Sequence, residues 1–421
     1  MLFTRQSFHH GIRNVQKRFG VISIIFAFAA FGFLGVSISH AGTYAVGFEA
    51  ESGTQAGNTS AGDTVGASGG ASIKFTAGSS IGTRDPLKQP FSSDSIWNMP
   101  IGSEAQYVAA NLDGTPGSDE WTPMPQIDDE PIILKPTAPL VALMASSAAW
   151  SGANRCNATG GQLAMIPVPA NYTLGNSGAN NSAAILMQDG RTILQAQPFT
   201  RCTACGIATS LLTFPNEDLY GQGLSGSHGG SYLSAIGGSI RLGELRPGQQ
   251  GMKHAIKVNV DSPNALYRCQ TKTQCFRWPA TTADSGAVGD YGAESNNQNT
   301  AMKMGALLAI PPSTNINTLG LESEPGKQLA WTLQNYGAYI VDSTGGPAFA
   351  LGAETGPDGS LRDQFQADYG YPFEQRINDN TTWSRDMSRL IEALQVVNNN
   401  STTSVGGGGT PRQPLAPAIA P

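Results

Sequence analysis

Apolar and polar positions alternate with a period of two through much of the chain, the pattern of half-buried β-strands. Ala183–Met187 and Thr192–Gln197 flank Gln188-Asp189-Gly190-Arg191. Asp-Gly between two apolar runs predicts a hairpin, because its tight turn needs a left-handed backbone that Gly adopts freely. Ser239–Leu245 and His254–Val260, joined through Arg246-Pro247-Gly248, predict a second hairpin, and Ala338–Asp342 predicts a further strand. The apolar spacing changes to three and four in two places, predicting helices over Pro325–Tyr336 and Ser384–Val397. The expected fold is mainly β, a jelly-roll-like β-sandwich with a few peripheral helices.

The ends of the chain break this pattern. Arg5, Arg13, Lys17 and Arg18 precede an apolar run from Phe19 to Ile38, followed by Ser39-His40-Ala41. That layout predicts a secretory signal over residues 1–41. The alternative is an uncleaved anchor, since the run nearly matches a bilayer core of ~30 Å. Residues 42–83 are Gly/Ser-rich and read as a stalk or a fragment of a binding module. Residues 84–397 form the expected main domain. Residues 398–421 are Asn, Ser, Thr, Gly and Pro without apolar period, and are expected to be disordered.

Charge narrows the function. The chain holds 25 Lys+Arg and 31 Asp+Glu, and the four basic leader residues have no acidic counterpart, so the remainder is more acidic than the whole. An acidic chain is a poor partner for nucleic acid, and export argues against a nucleotide cofactor. Contact with a membrane is expected only through an uncleaved leader. Charged residues make up 13% and hydrophobic residues 40%, which fits a secreted, loop-rich β protein and not a disordered one. An oxidising compartment favours disulfides among the five cysteines. Cys269–Cys275 suits a stapled loop. Cys156 with Cys202 or Cys205 suits a second bridge, leaving one thiol over.

Two resemblances follow from particular phrases. Tyr44-Ala-Val-Gly-Phe48-Glu49-Ala50-Glu51 and Gly66-Ala67-Ser68-Gly69-Gly70 through Phe75 resemble the first strands of β-sandwich carbohydrate-binding modules. Residues 189–397 resemble a family of secreted bacterial and fungal β-rich proteins with no established activity. The phrases are Glu217-Asp218-Leu219-Tyr220-Gly221, Ser234 to Glu244, His254 to Asn259, Arg277-Trp278-Pro279-Ala280, Met304 to Pro312 and Tyr336 to Asp342. The likeness implies a shared β fold and no particular reaction. Arg241-Leu-Gly-Glu244-Leu-Arg246 is similar to the Arg-x-Glu-Leu-Arg strand of jelly-roll alginate lyases, whose Gln-x-His strand is absent here.

Candidate chemistry concentrates between Glu217 and Asn259. His228 lies in the Gly-rich loop Gly226-Ser-His-Gly-Gly-Ser231, which lets backbone approach a ligand closely. Strand alternation puts Glu244 and His254 on apolar faces of the expected hairpin. A carboxylate beside an imidazole there is a general acid–base pair or a structural hydrogen bond. Glu244, His254, Asp218 and His228 are the catalytic candidates, with Glu217 a possible second carboxylate. Arg241, Lys257, Asn259, Tyr220, Tyr232 and Trp278 are the substrate-binding candidates. No metal site is expected among these residues, and no cofactor is needed. Asp284, Asp290 and Glu294 offer oxygen ligands for a structural calcium, against the alternative of a solvated loop. These residues point to a secreted carbohydrate-active enzyme, a glycoside hydrolase or polysaccharide lyase acting on extracellular polysaccharide. The competing reading is a non-catalytic glycan-binding or envelope protein.

Overall fold

The computed structural model describes residues 59–63, 71–75, 83–113, 125–150, 154–176, 179–344, 346–376 and 379–419. The expected leader and most of the binding-module phrase lie outside the described residues. The chain divides into two compact units, Met1–Ser80 and Ile81–Pro421. Within the first, Thr59–Asp63 pairs antiparallel with Ala71–Phe75.

Strand dominates the second unit, in agreement with a mainly β chain. Its principal strands are β1 (Pro125–Ile133), β2 (Ala183–Leu186), β3 (Thr192–Gln197), β4 (Ile256–Val260), β5 (Leu307–Ala309), β6 (Ala338–Ser343), β7 (Phe349–Gly356) and β8 (Gln395–Val397). They belong to one twelve-stranded sheet in the order β3-β2-β1-β7-β4-β6-β5-β8, with short strands at its ends. A separate three-stranded sheet is built from Gln162–Pro167, Leu140–Ala145 and Ala208–Ser210. The large sheet is mixed. β1 runs parallel to both β7 and β2, and β4 runs parallel to β6, while the other main pairs are antiparallel. A jelly roll is antiparallel throughout.

The first expected hairpin is present. Leu186 pairs with Ile193, Gly190 takes φ +67, and Asp189 Oδ1 accepts from the amides of Arg191 (2.9 Å) and Thr192 (2.8 Å). The second is corrected. Ser239–Leu245 forms no strand; Ile240 makes a single bridge to Ala353 and the chain then turns through Gly243 and Leu245, both at positive φ. β4 lies inside the sheet between β7 and β6, with all five residues buried. Both of its faces are covered, so alternation could not report a solvent side.

Among the described residues the three longer helices are α1 (Glu324–Asn335), α2 (Leu361–Tyr369) and α3 (Thr382–Ala393). Ser323 and Thr381 cap α1 and α3 by accepting from the amides of Gly326 and Ser384, and Pro325 sits in the first turn of α1. Trp383, Met387, Leu390 and Ile391 give α3 its buried stripe. The helix expected to run to Val397 ends at Ala393, where the chain becomes β8.

The polar tail is ordered through residue 419, contrary to expectation. Gly406–Gly409 all take positive φ, and the segment is held by backbone bonds such as Gly102 N to Gly406 O (3.0 Å) and Arg412 N to Ile101 O (3.0 Å). Backbone pairing, which leaves no apolar period, replaces side-chain burial there. Cys156–Cys202 and Cys269–Cys275 are bonded, and Cys205 is free and exposed. No helix among the described residues is long and apolar enough to cross a membrane.

Candidate functional site

The central strands place an unusual polar cluster on one face of the sheet. Asp128 and Glu130 on β1 are two residues apart and share a side, as do Lys257 and Asn259 on β4. β7 separates these strands, and two of its residues facing the cluster are small. Gly352 is in register with Asp128, and Ala350 with Asn259. A Cβ at Gly352 would lie 2.7 Å from both Glu130 Oε1 and Lys257 Cε. The missing side chain is what lets β1 and β4 touch across β7.

Glu130 is fully buried and fully engaged. One oxygen meets His228 Nε2 at 2.7 Å; the other holds the Lys257 ammonium and accepts from Ser239 Oγ at 2.8 Å. Lys257 also donates to the carbonyls of Ser234 (3.0 Å) and Ala235 (2.6 Å). Burial and the Lys257 charge push the His228 pKa down, but Glu130 and Asp342 outweigh them and carry it up to about 9. Asn259 donates to Asp128 Oδ2 at 2.8 Å. Burial, reinforced by the negative charge of Glu130, raises Asp128 to about 6.

Asp342 joins the cluster through a β-bulge. Val258 pairs with Ile340 but Asn259 pairs with Asp342, so Val341 is skipped. Strict alternation would send Asp342 to the opposite side; the bulge re-aims it. Its Oδ2 stands 3.8 Å from His228 Nδ1, and Asn180 Nδ2 approaches the same oxygen at 3.3 Å.

Above this floor opens a cleft of about 850 Å³, lined by Asp128, Asn259, Asp284, Asp290 and Asp342, with Lys272 the one cation in its wall among the described residues. Trp150, Phe214 and Tyr232 form an aromatic rim. Trp150 and Tyr232 are 46% and 47% exposed, Phe214 packs edge-on to Tyr232, and Trp150 donates to Asn180 Oδ1 at 3.0 Å. Aromatic faces beside a few convergent polar groups in a concave cleft are the usual lining of a ligand site.

Asp284 and Asp342 approach each other around Gly230. A Cβ there would lie 2.7 Å from Asp342 Oδ1 and 3.1 Å from Asp284 Oδ2. The two oxygens are therefore no further apart than the sum of those distances. Tyr291 Oη donates to Asp284 Oδ2 at 2.6 Å. Burial raises Asp284 to about 6, and the Asp342 charge adds to the rise while the Tyr291 bond opposes it.

The sequence candidates divide. His228 lies beneath this cleft, and Asn259 and Tyr232 line it. Lys257 is sealed beneath it with Glu130, unavailable to a ligand. Glu244 and His254 do meet, His254 Nε2 lying 3.0 Å from Glu244 Oε2. They do so at a separate crevice of about 10 Å³ bordered by Arg241 and His254, room for a single water. Arg241 is paired there with Glu354 at 2.8 Å. Asp218 pairs with Arg191 at 2.6 Å, and that guanidinium sits over the Tyr220 ring, outside the cleft. Glu217 is buried and accepts from Ser234 Oγ at 2.6 Å; burial lifts it to about 7. Trp278 packs against the core. The calcium trio separates: Asp284 and Asp290 line the cleft, whereas Glu294 accepts from Asn264 at 3.0 Å.

Asp128, Glu130 and Asp342 were not among the site candidates. One signal was present: Asp128-Asp129-Glu130 is an acidic run flanked by apolar residues, and acids are depleted in strands unless something there needs them. Compared with family models, with curated proteins and with solved structures, the chain matches none.

Proposed function

We propose that this chain is a secreted glycoside hydrolase that cleaves an extracellular polysaccharide of neutral or amino sugars in the acidic cleft. The observation that carries the reading is the approach of Asp284 and Asp342 around Gly230 beneath an aromatic rim. Glycoside hydrolysis needs two carboxylates flanking the scissile bond. Separations of ~5–5.5 Å accompany retention and ~6.5–9.5 Å inversion; the bound on this oxygen pair lies below the inverting range.

Asp284, with its raised pKa, is the general acid that protonates the glycosidic oxygen as the C1–O bond breaks. Asp342 Oδ1 closes on C1 to form a glycosyl ester. Water, losing its proton to Asp284, then releases the sugar and restores Asp342. The rim aromatics supply flat faces for pyranose rings. The two disulfides and the N-terminal segment support export.

A lyase reading is weaker, because it needs cations to neutralise a uronate carboxylate. Arg241 and Lys257 are both engaged by buried carboxylates, and the cleft wall would repel an acidic sugar. The test is a screen of the protein against neutral, amino and uronic polysaccharides. New reducing ends without unsaturated-product absorbance support a hydrolase. Unsaturated product indicates a lyase, and binding without cleavage a glycan-binding protein; either result overturns the proposal.

A further inference from the structure

Two half-buried carboxylates of the cleft lack the lysine or arginine partner that other shielded acids have. Glu130 holds the Lys257 ammonium, and Glu354 the Arg241 guanidinium. Asp128 and Asp284 take neutral donors instead, the Asn259 amide at 2.8 Å and the Tyr291 hydroxyl at 2.6 Å. Negative neighbours, Glu130 for Asp128 and Asp342 for Asp284, add to burial in raising both pKa values. The Lys272 charge opposes the rise in Asp284 less than the Tyr291 bond does. Charge removed from water calls for a counter-charge.

A second observation concerns donors and acceptors. Asn259 and Gln197 line the cleft and are 3% and 1% exposed, yet neither Asn259 Oδ1 nor Gln197 Oε1 has a hydrogen-bond partner. Unpaired buried acceptors are few in folded proteins. The orientation of Asn259 is settled by its amide N–H on Asp128, which leaves the carbonyl as the unmatched end. Nearby donors are spent: Asn180 Nδ2 and the Ser343 amide both serve Asp342, at 3.3 and 2.9 Å.

We infer that the cleft takes a polysaccharide of 2-amino sugars whose amine is free and protonated, with the ammonium held by Asp128 and the Asn259 carbonyl. An ammonium brings three donors and no acceptor, which is what these atoms lack. An N-acetyl group would bring a further carbonyl, and a uronate a further negative charge. The position on the ring follows from the sheet. Asn259 pairs with Asp342 at the bulge. With Asp342 closing on C1, the side chain beside it stands nearest the substituent one carbon away, at C2. The inference rests on the hydrolase reading and narrows its substrate to one class.

The test compares monosaccharides, which have no scissile bond, on the full chain by ligand-observed NMR. Glucosamine should bind about tenfold or more tighter than glucose or N-acetylglucosamine, and the margin should shrink as salt is raised. Asn259→Leu and Asp128→Asn, shown folded by thermal unfolding, should each lose most of that margin while glucose binding stays unchanged. The native series decides even where a variant fails to fold. Equal affinity for the three sugars overturns the inference. So does tighter binding of trilysine or 6-amino-6-deoxyglucose than of glucosamine, or a margin intact in both folded variants. Cleavage judges the hydrolase reading separately. Reducing ends from a glucose polymer without glucosamine preference refute the amine site alone, and glucosamine preference without cleavage of any polymer refutes hydrolysis alone.

Discussion

Asn259 lies opposite Asp342, and not Val341, because a single bulge interrupts the parallel pairing of β4 and β6. That irregularity delivers the second carboxylate to a cleft already holding Asp284. Gly230 keeps the space between them open.

Gly230→Ala should therefore damage catalysis more than stability. Its new methyl would meet Asp342 Oδ1 at 2.7 Å and Met304 Cε at 2.9 Å. A displacement of about 1 Å in a reacting group costs on the order of 10²-fold. Expected is a kcat loss of that order with the thermal midpoint nearly unchanged. Unaltered kcat would show that the two carboxylates do not work across that gap.

Gly352→Ala should act oppositely, on the fold. Its methyl would press on both members of the Glu130–Lys257 pair. Breaking a buried ion pair costs about 3–5 kcal/mol. Denaturant unfolding should register a loss of that order, and Lys257→Met should match it by leaving the second Glu130 oxygen without its ammonium. A loss below about 1 kcal/mol in both would mean that the pair is solvated or replaceable.

The Glu244–His254 pair should matter for stability and not for turnover. Burial works against the charge on His254, but Glu244 carries its pKa above 6.5; burial likewise opposes the charge on Glu244, yet His254 and its hydrogen bonds hold it below 4.5. The raised His254 pKa gives stability that is full below its unfolded value and lost as pH rises through the folded one. The lowered Glu244 pKa gives stability present above its unfolded value and lost as pH falls through the folded one. His254→Ala should thus cost most between about pH 4.5 and 6.5, by roughly 1–3 kcal/mol, and progressively less above. Urea unfolding across pH reads this directly. Loss of glycan cleavage in a folded His254→Ala protein would return the pair to the active site.

Tyr291→Phe tests the proton on Asp284. The Tyr291 hydroxyl bond stabilises the carboxylate, against burial and the Asp342 charge, which raise it. Removing the bond should move the Asp284 titration upward from about 6, followed by carboxyl NMR. A downward move would mean that the phenol stabilises the protonated form.

The sequence revealed the parts of this site that local rules govern. The Gly-rich setting of His228 marked close backbone approach, and Asp189-Gly190 located a hairpin that the fold keeps. The Glu244–His254 contact was also legible, although a turn brings it about and no hairpin does. Other parts were not. Asp342 reaches the cleft through a bulge, which no alternation pattern announces. Asp128 and Glu130 sit in a strand that propensity disfavours, and their partners are distant: His228 lies 98 and Lys257 127 residues from Glu130. The mixed sheet was hidden because β4 is covered on both faces, and the ordered tail because backbone bonds carry no side-chain signature.

Reducing-end release from a responsive polysaccharide, measured for the native chain beside Asp284→Asn and Asp342→Asn, bears most directly on the carboxylate pair. Expected is cleavage by the native chain and a loss of at least ~10²-fold in each variant, with thermal unfolding showing both folded. Full cleavage by either folded variant, or none by the native chain on neutral and amino polysaccharides alike, would contradict it.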